Sequence, residues 1–222
     1  ECGGDITITT NGSVMGSGET YSAALLAYSS SDGDISITNT GLVAAATGIV
    51  ADNSGSGNIT VENDGAVRGN TAIHTLHSGT GSITVTTGEN SLTVSADSDD
   101  ISGGNAINAW HYGAGAVEPS STDEALVAVR ITTAAGGQIM ASGEYGDAIN
   151  AWAEGTGDII INNAATLIAE DYGITANNAA APGNAANVSI TNSGDIDRTR
   201  VGINAASSSD GIVAIHNSGE VI

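Results

Sequence analysis

Short runs of alternating hydrophobic and polar residues recur along the whole chain. Each run begins with two aliphatic residues two positions apart: Ile6/Ile8, Ile35/Ile37, Ile59/Val61, Ile83/Val85, Val129/Ile131, Ile159/Ile161, Val188/Ile190 and Val213/Ile215. A period of two in β-branched residues is typical of a strand with one buried face. Most runs return after about 24 to 30 residues, and a period of this size indicates one structural unit copied many times.

A polar residue follows each aliphatic pair by two positions, usually before a Gly and a further aliphatic residue. In five units this residue is an asparagine: Asn39, Asn63, Asn163, Asn192 and Asn217. The other three units carry Thr10, Thr87 and Thr133. An inward amide before Gly predicts a corner, because the amide bonds the turn backbone and Gly permits the bend. We therefore expect a ladder of stacked asparagines inside an apolar core.

The second half of each unit carries a Gly/Ala-Ile/Leu-x-Ala/Thr signature, which predicts a further strand in every coil. Its clearest copies begin at Ala24, Gly48, Ala72, Ala106, Ala148, Gly173 and Gly202. Such short strands bury their faces only when coils stack and each strand bonds to its copy above and below. The pattern predicts an all-β fold, a parallel β-helix (β-solenoid) of about seven to eight coils. A propeller is the structural alternative, but blade motifs are missing.

We expect residues 1–222 to form a single β-helix domain, and the last unit stops at Ile222 in mid-repeat. The natural protein is therefore expected to continue. The spacing from Ile83 to Val129 is 46 residues, so an expanded fourth coil is predicted, with loop insertions at about 88–103 and 112–126. Long loops on a rigid scaffold often hold function. The alternative is a tolerated excursion without a ligand.

Both tryptophans occupy one register, in Ala106-Ile107-Asn108-Ala109-Trp110 and Ala148-Ile149-Asn150-Ala151-Trp152. If Ile107 and Ala109 point inward, Asn108 and Trp110 point outward. Aligned coils then predict an outward stripe with flanking polar residues and two corner histidines. The stripe is Tyr28, Leu76, Trp110 and Trp152, the flank is His74, Asn108 and Asn150, and the corner column holds His77 and His111.

Aromatic platforms beside amides stack on sugar rings or anchor a protein partner. The competing interpretation is that an insertion folds back over Trp110 and Trp152 and makes them a satellite core. Two imidazoles without a third ligand are more typical of surface residues than of a metal site, so neither a metal nor a cofactor is predicted for His77 and His111.

The charge excludes one class of partner. The chain carries 25 carboxylates against four arginines, with a net charge of −21, and this field repels phosphate backbones. Nucleic acid is therefore not expected as a partner. The only cysteine, Cys2, cannot form an internal disulfide. No apolar run is long enough for a membrane span, and the Gly-rich composition without Phe or Lys is typical of an extracellular repeat protein.

The repeat Gly-Asp-Ile-x-Ile-x-Asn-x-Gly, followed by Gly-Ile-x-Ala, resembles the right-handed β-helix passenger domains of bacterial type V autotransporters. The resemblance covers nearly the whole chain. It implies a right-handed coil, display outside the cell or at the bacterial surface, and a C-terminal translocator barrel in the outer membrane, beyond this sequence. Such passengers include adhesins and other virulence factors.

The expected function is therefore a non-catalytic adhesin or interaction scaffold that acts through the stripe and the coil-four loops. Its expected partner is a host-surface protein, a glycan or a second copy of itself.

The first alternative is a polysaccharide-degrading β-helix enzyme, although no pattern selects a carboxylate pair. Candidate acids are Asp97, Asp99, Asp123, Glu124, Glu144 and Glu154. A flat-surface binder of the ice-binding type is the second alternative. It would use a partial threonine array that Glu62, Arg130 and Ile160 interrupt, formed by Thr7/Thr9, Ser36/Thr38, Thr84/Thr86 and Ser189/Thr191.

Overall fold

The computed structural model describes residues 4–16, 22–95, 104–113, 126–181, 185–208 and 210–222. Within these ranges the chain forms 22 strands in three sheets.

The first sheet holds β1 Ile6–Thr10, β4 Ile35–Asn39, β7 Ile59–Asn63, β10 Ile83–Thr87, β13 Val127–Thr133, β16 Asp158–Asn163, β19 Val188–Asn192 and β22 Val213–Asn217. The second holds β2 Ser13–Met15, β5 Leu42–Ala44, β8 Ala66–Gly69, β11 Leu92–Ser95, β14 Gln138–Ala141, β17 Thr166–Ala169 and β20 Ile196–Asp197. The third holds β3 Ala23–Ser29, β6 Thr47–Asn53, β9 Thr71–His77, β12 Ile107–His111, β15 Ile149–Ala153, β18 Tyr172–Asn178 and β21 Val201–Ser207.

Every coil passes through the three sheets in turn, and each strand pairs in parallel with its copies in the neighbouring coils. Ile35, for example, lies between Ile6 and Ile59 in the first sheet. The fold is thus a right-handed parallel β-helix of seven to eight coils, which confirms the predicted architecture. The second sheet was not predicted as a separate element, because strands of two to four residues are too short to show a period.

The first predicted insertion was placed too early. Residues 92–95 form β11, which pairs in register with β8 on one side and β14 on the other. Thr93 and Ser95 are buried in this strand, as alternate residues are in the other strands. Residues 92–95 are therefore a regular part of the coil and not an insertion. The remainder of that insertion, and nearly all of the one predicted at 112–126, lies outside the described residues.

The predicted asparagine ladder is present inside the first corner. Asn39 Nδ2 donates to Asn63 Oδ1 at 2.7 Å, and in later coils Asn163 donates to Asn192 and Asn192 to Asn217 at 2.6 Å each. Four of these side chains are almost completely buried, and Asn217 belongs to the exposed last coil. Since buried amides are stable only when they are hydrogen-bonded, these bonds hold the asparagine-bearing coils in register with one another.

The corner glycines are required for a different reason from the one expected. A Cβ on Gly41 or Gly65 would collide with the carbonyl oxygen of Gly12 or Gly41 in the preceding coil. The only described glycine with a positive φ is Gly136. These glycines therefore permit close stacking of coils rather than an unusual backbone bend.

Three of the 25 acidic residues accept backbone hydrogen bonds at the entrance of the first sheet. Asp5 Oδ1 accepts the N–H of Asp34 at 3.0 Å, and Asp34 Oδ1 accepts the N–H of Asn58 at 2.7 Å. Asp158 does the same for Asn187 at 2.7 Å. Asparagine occupies equivalent positions at Asn58 and Asn187, so the side-chain oxygen is needed there and the charge is not.

Candidate binding face

The outer face of the third sheet carries two columns of side chains, one residue per coil in each. The first column contains Leu26, Val50, His74, Asn108, Asn150, Thr175 and Asn204. The second contains Tyr28, Asp52, Leu76, Trp110, Trp152, Asn177 and Ala206. The structure thus brings the predicted stripe and its flank onto one face; their role in binding stays a prediction.

Four side chains in two adjacent coils form a compact group, which we call the tryptophan square: Trp110, Tyr112, Trp152 and Glu154. Trp110 and Trp152 are register partners, and Tyr112 and Glu154 lie two positions further along their coils. The Trp110 and Tyr112 rings meet edge to face, with centroids 6.0 Å apart. Trp152 Nε1 donates to Glu154 Oε1 at 3.3 Å. The repeat pattern did not reveal Tyr112, which has no aromatic counterpart in the next coil.

The flanking amides hydrogen-bond to one another. Asn150 Nδ2 donates to Asn108 Oδ1 at 3.1 Å, and Asn108 Nδ2 lies 3.1 Å from His74 Nδ1. Asn105 also approaches Asn108 Oδ1, at 3.4 Å. Asn108 is only 6% exposed, so this predicted contact residue supports the face from below instead of facing a ligand.

His74 is held in its neutral form beside the tryptophan square. Burial lowers its pKa below the usual value, and the nearby charge of Asp52 opposes this shift only in part. The His74 ring meets Trp110 edge-on, with centroids 5.8 Å apart. The described face therefore receives no positive charge from His74 near neutral pH.

Tyr28 stands apart from the tryptophan square. Asp52 lies between Tyr28 and Leu76 in the second column, so the stripe is not continuous. The three residues line a shallow recess together with Ser54 and Ser78. Burial raises the pKa of Asp52 above its usual value, and the electrostatic interaction with His74 opposes this shift. Asp52 was not predicted, although its column position follows from the same alignment that placed Leu76.

His77 and His111 do not lie at the surface, contrary to expectation. Both are 0% exposed, and their rings stack inside the helix with centroids 5.0 Å apart. His77 Nδ1 accepts the N–H of Gly79 at 3.0 Å, so Nε2 carries the proton and donates to Gly57 O at 2.8 Å. His111 Nε2 donates to Gly81 O at 2.7 Å.

These histidines belong to a second interior ladder, which the sequence analysis missed. Asn53 one coil earlier accepts the N–H of Gly55 and donates to Gly33 O, and Asn178 bonds Ala180 and Gly157 in the same way. An imidazole has one acceptor and one donor nitrogen and can replace an amide in this role. Because mixed residue types fill the column, no single letter repeats along the sequence.

A buried acidic pair at the entrance of the third sheet was also missed. Asp147 and Asp171 are 8% and 6% exposed, and Arg200 Nη2 lies 2.7 Å from Asp171 Oδ1. Burial raises the pKa of Asp147 to about 6, and the charge of Asp171 adds to the shift. The Asp147 carboxyl is thus more readily protonated than an ordinary aspartate, and Arg200 forms an ion pair with its neighbour Asp171. The two aspartates stand in different local sequences, Gly-Asp-Ala around Asp147 and Glu-Asp-Tyr around Asp171, so no shared motif indicated that they lie close together.

Other candidate features can be placed only in part. Asp97, Asp99, Asp123 and Glu124 lie outside the described residues, as do most residues of the insertions that were predicted as an alternative cover for the tryptophans. Among the residues that the structure describes, no group of three or more His, Cys, Asp or Glu is arranged to hold a metal. The same residues include no helix long and apolar enough to cross a membrane.

No protein-family model matches the chain, and neither curated proteins nor solved structures give a significant match.

Proposed function

We propose that this protein is a non-catalytic interaction scaffold, an adhesin-like β-helix displayed outside the cell, which binds its partner through the tryptophan square and adjoining parts of the third sheet. The observation that carries the proposal is the register pairing of Trp110 with Trp152 on an outer face. Soluble proteins concentrate binding energy in such aromatic residues. A rigid stacked core beneath them keeps the contact surface preorganised, which lowers the entropic cost of association.

The resemblance to autotransporter passengers supports the display part of this proposal. A stacked β-helix with satisfied interior amides suits a protein exposed to proteases, because its backbone hydrogen bonds are shared between coils. Host-surface proteins, glycans and further copies of this chain are the candidate partners. The coil-four loops, most of whose residues lie outside the described ranges, stay a predicted part of the binding surface.

The test is tryptophan fluorescence, because Trp110 and Trp152 are the only two tryptophans. We expect ready quenching by acrylamide and a saturable spectral shift with at least one member of a panel of glycans and matrix proteins. A Trp110→Ala/Trp152→Ala variant that keeps its β-sheet circular dichroism should bind that partner at least about tenfold more weakly in a label-free assay. Blue, unquenchable emission with no response would contradict the proposal.

The acidic pair favours a second candidate, a polysaccharide-degrading enzyme. Acid–base hydrolysis needs a carboxyl that can donate a proton beside a second carboxyl, and burial together with the charge of Asp171 raises the pKa of Asp147 to about 6. If this function holds, the chain should release reducing ends from one of a panel of polysaccharides, and Asp147→Asn should reduce that rate by about a thousandfold. An unchanged rate in the variant would assign any activity to other residues. The flat-surface alternative rests on hydroxyl rows that Glu62, Arg130 and Ile160 interrupt.

A further inference from the structure

We propose that the tryptophan square binds an organic cation, presented as an arginine or lysine side chain by an extended basic segment of a protein partner. This inference rests on the proposed function and names the chemistry of the partner at the same face.

The arrangement of the four side chains matches what a cation requires. Two indoles lie side by side on adjacent coils, Tyr112 closes one edge of the group against Trp110, and Glu154 stands beside Trp152. A cation is attracted to the faces of Trp and Tyr rings, and a neighbouring carboxylate adds direct charge pairing. Strands neighbouring in the sheet are about 4.8 Å apart, so one guanidinium plane could contact an indole and Glu154 together.

The electrostatic surroundings favour a positive ligand. Partial burial, followed by the negative charge of Glu154, raises the pKa of the Tyr112 hydroxyl above its usual value. The whole chain carries a net charge of −21, which attracts basic partners and accelerates their encounter. Asp52 lies in the same column as Trp110, two coils away, and adds a further negative charge to this face.

No cation of this chain occupies the square. The sequence contains no lysine, and its four arginines lie elsewhere. Arg68 belongs to β8 in the second sheet and Arg130 to β13 in the first. Arg198 and Arg200 pair with Asp197 and Asp171. Burial lowers the pKa of His74, whose ring meets Trp110, and so disfavours its charged form. The aromatic and acidic groups thus lack the positive partner that their chemistry suits.

A neutral sugar fits this face less well. Sugar recognition relies on amides that bond hydroxyls, but Asn108 is almost completely buried and both ends of its amide meet Asn150 and His74. Glu154, in contrast, is an exposed acceptor beside the half-buried ring of Trp152. The charged group within the square is therefore a carboxylate, and this favours a basic peptide over a neutral glycan.

The experiment titrates the full chain with two peptides while tryptophan fluorescence and calorimetric heat are recorded. The first is acetyl-Gly-Arg-Gly-Arg-Gly-amide, and the second replaces both arginines with citrulline, which keeps the shape and removes the charge. We expect the arginine peptide to bind roughly tenfold more tightly than the citrulline peptide. Its affinity should fall as salt is raised from about 50 to 500 mM, because the contact is partly exposed.

The matched variants are Glu154→Gln and Glu62→Gln. Both remove one exposed carboxylate, but Glu62 lies in β7 on the first sheet, away from the square. We expect Glu154→Gln to weaken arginine-peptide binding about fivefold, whereas Glu62→Gln should leave it unchanged. Equal losses in the two variants would show only general attraction to an acidic protein, and equal affinity for the two peptides would show that the positive charge does not contribute. Either result would overturn the inference.

Failure of this inference is distinguishable from failure of the proposed function. A glycan or neutral protein that shifts the tryptophan spectrum without salt dependence, while the arginine peptide gives no response, would overturn the cation site and leave a binding face. Unquenchable tryptophans with no response to any ligand would overturn both.

Discussion

Replacement of Asn163 with alanine is expected to lower the free energy of unfolding by about 3 kcal/mol. The Asn163 amide donates to Asn192 Oδ1 at 2.6 Å and to Ala165 O at 3.0 Å, and its oxygen accepts from Thr133. Its removal leaves these buried groups without their partner, and each unsatisfied group carries a desolvation cost. The shift in the guanidinium unfolding midpoint, followed by circular dichroism, measures the effect.

Asn162→Ala is the matched control for this prediction. Asn162 is the preceding residue of the same strand, with its side chain exposed on the outer face. Its removal should change the free energy of unfolding by no more than about 0.5 kcal/mol. Similar midpoint shifts for the two variants would mean that the asparagine ladder does not stabilise the helix and that strand propensity alone accounts for asparagine at these corners.

Acidification is expected to destabilise the protein through His111, and His111→Asn should remove much of this loss. Burial lowers the pKa of His111 from 6.5 to about 4, with the bond to Gly81 O opposing and the nearby His77 adding to the shift. Between these two values the unfolded chain binds a proton that the folded chain does not. Stability is therefore lost as pH falls through this window, by about 3 kcal/mol for one such group.

Asp147 acts in the opposite direction over much of the same range. Its pKa is raised from 3.8 to about 6, so the folded chain binds the extra proton and gains stability as pH falls between these values. The pH dependence of wild-type stability would therefore show only part of the loss caused by His111, because Asp147 offsets the rest. Unfolding midpoints should be compared between wild type and His111→Asn at pH 7 and pH 4.5.

Asparagine is a suitable replacement because Asn53 and Asn178 already fill this interior column. The variant should be close to wild type at pH 7 and more stable than wild type at pH 4.5. His77→Asn should act in the same direction, since burial also lowers the pKa of His77. A constant difference between variant and wild type at both pH values would refute the assignment of acid sensitivity to this stacked pair.

The amino-acid sequence alone determined the parts of the protein that every coil repeats. Alternating Ile and Val marked the first sheet, the Gly-Ile-x-Ala signature marked the third, and the asparagine before the corner predicted a polar ladder that Asn39 and Asn63 form. In a stacked solenoid each coil meets only its neighbours. A local pattern that recurs at a constant period is therefore also a tertiary contact, and sequence spacing is enough to reveal it.

Only the tertiary structure decided features that join unlike residues from different coils. His77 and His111 were assigned to the surface but lie in an interior column with Asn53 and Asn178. His77 supplies the same donor and acceptor as an amide there, and His111 supplies the donor. The pairing of Asp171 with Arg200 and the meeting of Trp110 with Tyr112 follow no repeated letter. Burial and the geometry of neighbouring coils set the protonation and exposure of these groups, and neither property is encoded in a repeating pattern.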